Sequence, residues 1–279
     1  MSFFTTSDGK RLFYTDTGPE GARPILCLAG LTRNSDDFSF VAPHLTDYRL
    51  IALDTRGRGQ SEYDPDYMNY NVIRESHDAI ELLDHLDLDR VTVLGTSRGG
   101  LIAMALAASH PERLTAVVLN DIGPVVGAAG IARIMNYVGK KPKAKTLEQA
   151  AVDMKAALEH EFPGVPLEVW RRQAAFQYQE VPGGLELRYD GAALHKALLE
   201  QGATGATPDM WMFFEALAKL PLAVIRGANS DILSHDTLEE MRRRHPGLIA
   251  AEVADRGHPP FLDEPEALAA IRALLEQTA

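Results

Sequence analysis

The chain has 279 residues, of which 46% are apolar and 24% charged, and a net charge of −11. That length suits one large domain or one domain carrying an insertion, and the acidic balance argues against nucleic acid, whose phosphates are held by Lys and Arg clusters not found here. Cys27 is the single cysteine, which excludes an intrachain disulfide and a cysteine metal cluster. Its place in the apolar run ILCLAG marks it as a buried small hydrophobe.

The N-terminal MSFFTTSDGKRLFYTDTG has no basic stretch followed by a long apolar one. No signal peptide or membrane anchor is therefore expected, and the expected location is cytoplasmic, with no membrane partner. RLFYTDTG alternates like an edge strand, while PILCLAG and YRLIALD are short apolar runs suited to strands buried on both faces. Between them, NSDDFSFVAPHL predicts a short helix capped by Asn34 or Ser35. From Val72 to Leu86, Ile73, Ile80 and Leu83 recur at helical spacing. The strand RVTVLG, a helix after Ser97 and the strand LTAVVLND follow. This alternation predicts an α/β fold with a mostly parallel central sheet flanked by helices.

After Asp121 the rhythm changes. Residues 122–217 read as helical or irregular segments only, and strand-like runs resume at PLAVIRGA and GLIAAEV before a final helix marked by Leu268, Ile271 and Leu275. The expected organisation is a core of residues 1–121 and 218–279 with a helical insertion at 122–217.

Gly95-Thr96-Ser97-Arg98-Gly99 matches G-x-S-x-G between a predicted strand and a predicted helix, the context of a nucleophile elbow. A serine hydroxyl needs a base. Among nine histidines, His258 lies on a loop after a strand-like segment, where a parallel sheet gathers its sites. Two carboxylates compete to orient it. Asp231, on the loop after the penultimate strand LAVIRGA, is favoured over Asp121 at the end of VVLND, and Ser97, Asp231 and His258 follow the chain order of a Ser-Asp-His triad.

These motifs, together with DTRGRGQS after LIALD and the ending GHPPFLDEPEAL, resemble the α/β-hydrolase fold superfamily over nearly the whole chain. The resemblance implies a serine-nucleophile member in which the insertion is a cap over the active site, and structural roles for Asp54 and Arg56. Where many relatives carry H-G-x, this chain has Ala29-Gly30-Leu31. The resemblance assigns the backbone N–H of Leu31 to an oxyanion hole, with the N–H of Arg98 as second donor. The missing histidine leaves open how that loop is braced, with Asn34 as one candidate.

The implied reaction is hydrolysis of a small carboxylic ester or lactone through an acyl-enzyme on Ser97. Arg33 is a candidate for a substrate carboxylate, as is the Arg98 side chain, and Trp170, Trp211 and Phe214 are candidates to line an apolar pocket. No cofactor or metal is expected. The partner is a small-molecule substrate, and monomer and homodimer are both open. The alternatives on the same fold are carbon–carbon hydrolysis of β-diketone-like ring-cleavage products, a cofactor-free lyase or oxygenase, and a ligand receptor without turnover.

Overall fold

The apolar runs of the sequence become strands in the computed structural model, which describes residues 2–203 and 210–278. In chain order they are β1 (Ser2–Thr5), β2 (Arg11–Thr17), β3 (Pro24–Leu28), β4 (Arg49–Leu53), β5 (Val91–Thr96), β6 (Leu114–Asn120), β7 (Tyr178–Val181), β8 (Gly184–Leu187), β9 (Leu222–Gly227) and β10 (Ile249–Val253). Eight of them form one sheet in the order β1-β2-β4-β3-β5-β6-β9-β10, and β7 and β8 form a separate hairpin. β2 runs antiparallel to both β1 and β4, and the remaining pairs are parallel. RLFYTDTG is thus the second strand, with β1 taking the edge.

The helices are α1 (Val72–His85), α2 (Arg98–Ser109), α3 (Ala128–Tyr137), α4 (Leu147–Leu158), α5 (Leu167–Gln177), α6 (Gly191–Ala203), α7 (Trp211–Glu215), α8 (His235–Arg244) and α9 (Pro265–Gln277). Because side chains alternate along a strand, the parallel strands feed two cores. Leu26, Leu28, Val91, Val93, Val117, Leu119 and Val224 join α1, α2 and α8 on one face. Ile25, Cys27, Leu94, Ala116, Val118 and Ile225 join α9 on the other. Burial on both faces is why these strands read as continuous apolar runs. The predicted helix near Asn34 is a 3₁₀ turn, Ser35–Ser39, and the Asn34 side chain accepts the Asp36 N–H. Among the described residues no helix is long and apolar enough to cross a membrane.

The insertion departs from expectation in two ways. It contains the β7–β8 hairpin, closed by Gly183 (φ 98°) and Gly184 (φ 149°), in a region read as helical or irregular. The second is α7, in the run TPDMWMFFEALAKL: Phe214 of this helix and Leu217 just after it pack into the main core. The positions 204–209, which include the start of that run, lie outside the described residues. α3, α4, α5 and the hairpin stand opposite the strand ends that carry Ser97.

Candidate active site

Ser97 occupies the turn between β5 and α2 with φ 51° and ψ −115°, a left-handed backbone that costs of order 1–3 kcal/mol for a non-glycine residue. Two flanking glycines make the turn possible. A Cβ on Gly95 would stand 2.5 Å from the Gly99 carbonyl oxygen, and one on Gly99 would stand 1.9 Å from that of Leu28. The elbow therefore throws the Ser97 hydroxyl out beyond the sheet.

His258 lies on the loop between β10 and α9, and its Nε2 is 2.9 Å from Ser97 Oγ. Its Nδ1 is 2.7 Å from Asp121 Oδ2. A carboxylate can only accept there, so Nδ1 carries the proton and Nε2 of the neutral ring accepts from the serine hydroxyl. Asp121 is fully buried at the end of β6. Its Oδ2 also accepts from Ser230 Oγ at 2.6 Å, and Oδ1 accepts the Gly227 N–H at 2.9 Å.

The choice of Asp231 as partner of the imidazole is therefore corrected. Its carboxylate accepts from Arg133 Nε at 2.8 Å and Nη2 at 2.6 Å, tying α3 to the core. Those bonds hold its carboxyl below the ordinary aspartate value. The β9 loop supports the acid, through Ser230 and Gly227, and does not supply it. The sequence signal for Asp121 was its place directly at the end of the strand beside β5.

Leu31 follows Gly30 in the loop after β3. A Cβ on Gly30 would lie 3.7 Å from Ser97 Cβ, so this loop comes up against the serine. Arg98 opens α2, and its N–H belongs to the first-turn amides that have no acceptor within the helix. The Arg98 side chain points away from the cavity, donating from Nε to Glu75 at 2.6 Å and from Nη2 to the Tyr70 carbonyl at 3.1 Å. It is not part of the cavity wall. Arg33 does line the cavity, but its guanidinium is taken up by Asp37, at 2.8 and 2.6 Å, and by Gln173. A substrate carboxylate would find Nε and Nη2 already engaged.

The cavity over Ser97 and His258 encloses about 320 Å³, and Trp170 is part of its wall. Trp170 also packs edge-on against Phe162 and Phe261 in the core of the insertion. Trp211 and Phe214 are not at the site. Phe214 is buried in the core beneath the sheet, and Trp211 packs edge-on against it with Arg244 over its ring at 4.0 Å. Asp54 and Arg56 brace loops, as expected from their motif. Asp54 accepts the N–H groups of Ser35 and Gln60, and Arg56 pairs with Asp78, Asp64 and Asp8.

The model of the alpha/beta hydrolase fold matches residues 23–265. The chain belongs to this family. The hydrolase is 35% identical over 268 residues, 93% of its length and 90% of the relative's, to the 3-hydroxybutyrate-oligomer hydrolase of Cupriavidus necator. It is 28% identical to the esterase YbfF of Escherichia coli, with 90% of its own length and 92% of that protein's aligned. Among solved structures, an alpha/beta hydrolase from Novosphingobium aromaticivorans superposes with a TM-score of 0.90 at 40% identity, covering 99% of this chain and 97% of the other. The chain is accordingly an α/β-hydrolase enzyme whose relatives include esterases.

Proposed function

We propose that this hydrolase cleaves small carboxylic esters by acyl transfer through Ser97. The observation that carries the reading is the unbroken hydrogen-bond chain from Ser97 Oγ to His258 at 2.9 Å and on to Asp121 at 2.7 Å. As Ser97 Oγ attacks the ester carbonyl, His258 Nε2 takes its proton and Asp121 stabilises the imidazolium. The oxyanion is received by the N–H groups of Leu31 and Arg98, and loss of one such donor costs about 2.7–4 kcal/mol. The imidazolium then gives its proton to the departing alkoxide. Water, activated by the same ring, attacks the acyl-serine and releases the acid.

A cavity of about 320 Å³ favours short acyl chains, since ligand pockets start near roughly 300 Å³. The name of the Cupriavidus relative points the same way, toward short hydroxy-acid esters. Chain-length profiles with p-nitrophenyl acetate to octanoate, and with the linear dimer of 3-hydroxybutyrate, test this beside Ser97→Ala. Turnover best with short acyl groups and abolished in Ser97→Ala is expected. Turnover persisting in the variant, or none with any ester in the parent, would overturn the reading.

A further inference from the structure

The loop after β3 lacks the histidine of H-G-x, and the structure shows what holds it instead. The Leu31 carbonyl accepts Arg58 Nε at 2.9 Å. The same guanidinium donates from Nη1 to the Arg56 carbonyl at 2.7 Å and to Glu75 Oε1 at 2.8 Å. The other oxygen of Glu75, Oε2, accepts Arg98 Nε at 2.6 Å. Glu75 lies in the first turn of α1 and is fully buried, as is Arg58 to within 1%. Leu31, on the loop after β3, and Arg98, at the start of α2, are thus joined through Arg58 and one buried carboxylate.

We propose that Arg58 and Glu75 are positioning residues that fix the spacing of the two oxyanion donors, Arg58 by holding the carbonyl of Leu31, one Cα along from its donating N–H, and Glu75 by coupling Arg58 to Arg98. The inference rests on the acyl-transfer reading. The donating N–H lies in the Gly30–Leu31 peptide and the carbonyl held by Arg58 in the next one, Leu31–Thr32; the two planes meet at the Leu31 Cα, so pinning the second restricts the dihedrals that orient the first. Arg98 is anchored at its side chain, which holds the first turn of α2 whose amide faces the serine. A guanidinium suits the task because it presents several donors in one rigid plane, serving a carbonyl and a carboxylate together. A lysine at 58 keeps the charge but offers a single nitrogen. Burial alone would raise the Glu75 carboxyl; Arg58 and Arg98 outweigh it and hold the group below the ordinary glutamate value, ready for both bonds.

Donor placement acts on the tetrahedral state and not on ground-state binding, which gives a readout that mere scaffolding does not move. In Arg58→Lys, kcat is expected to fall about 10- to 100-fold, part of the full loss on deleting a donor, with KM within about threefold. Affinity for an alkylboronic acid, which forms a tetrahedral adduct on Ser97, should fall by a similar factor. Glu75→Gln should show the same pattern, and the double variant should fall no further than the worse single, as for one coupled unit. The proposal is overturned if either folded variant, checked by thermal melting, keeps the parent kcat and boronate affinity. Ser97→Ala, run in parallel, separates the two ideas: activity remaining there removes the acyl-transfer reading itself, whereas its loss beside fully active clamp variants removes the clamp alone.

Discussion

Replacing Asp121 with asparagine should cripple the enzyme, while the same change at Asp231 should barely affect it. The Gly227 N–H is a fixed backbone donor that already occupies one oxygen of Asp121. In Asp121→Asn the amide oxygen stays with that donor, and the NH₂ group turns toward His258 Nδ1 and Ser230 Oγ, where two donors now stand. The ring answers by moving its proton to Nε2, facing Ser97, and can no longer take the serine proton. A wrong tautomer of this kind costs about 10⁴ in kcat, or about 5.5 kcal/mol at 1.36 kcal/mol per decade. Asp231 cannot step in, because both of its oxygens are committed to Arg133. Its ion pair is partly exposed, 31% and 27% at the two side chains, and such pairs are worth about 0–1 kcal/mol. Asp231→Asn should thus leave kcat within about threefold of the parent. The assay is kcat/KM on p-nitrophenyl butyrate for both variants, each checked by thermal melting. A collapse in Asp231→Asn beside near-parent activity in Asp121→Asn would refute the reasoning and return the acid to the β9 loop.

Two other perturbations test parts of the molecule away from the reacting atoms. Phe214→Ala empties a fully packed site and should cost about 3–5 kcal/mol in urea unfolding, yet leave KM unchanged in the folded fraction; a KM shift would put the ring back at the pocket. The Asp8 carboxyl, despite partial desolvation, is held down at about 2 by Thr6 and Arg56. Its contribution to stability is present above the ordinary aspartate value and disappears as pH falls through about 2. Asp8→Asn should flatten the acid side of the Tm–pH curve between about pH 4 and 2, and an unaltered slope would contradict the pairing.

Much of the fold was legible because each parallel strand carries its burial on both faces. Val91–Thr96 and Leu222–Gly227 are buried at every position, and such runs announce themselves. Ser97 and His258 were legible for a related reason, since a strand and a helix must flank the elbow and the last loop must overhang the strand ends. The choice between Asp121 and Asp231 was not. Both follow β-strands of the same sheet, Asp121 at once and Asp231 four residues on, and the Asp121 backbone, at φ 56°, sets its carboxylate beside the imidazole. Aromatic content could not separate Trp170, in the cavity wall, from Phe214, in the core. Nor could chain order disclose that Arg58, Glu75 and Arg98 meet, because their contacts join three segments that are distant in sequence.

The position of the acid carries a consequence for how such a protein can change. Ser97 and Asp121 sit on neighbouring strands, β5 and β6, that are joined only by α2 and a short turn. Ser97 and Asp121 therefore belong to one uninterrupted piece of chain that ends before the insertion begins. The parts of the insertion that roof the cavity, α3, α4, α5 and the hairpin, all come after that pair in the chain, with Asp231 as the clasp that ties α3 down. The cavity wall is built from core and insertion alike, Leu31, Phe38 and Phe261 from the first and Tyr137, Trp170 and Tyr178 from the second, so a change confined to the insertion would redraw its share of the wall and leave Ser97 and Asp121 where they are.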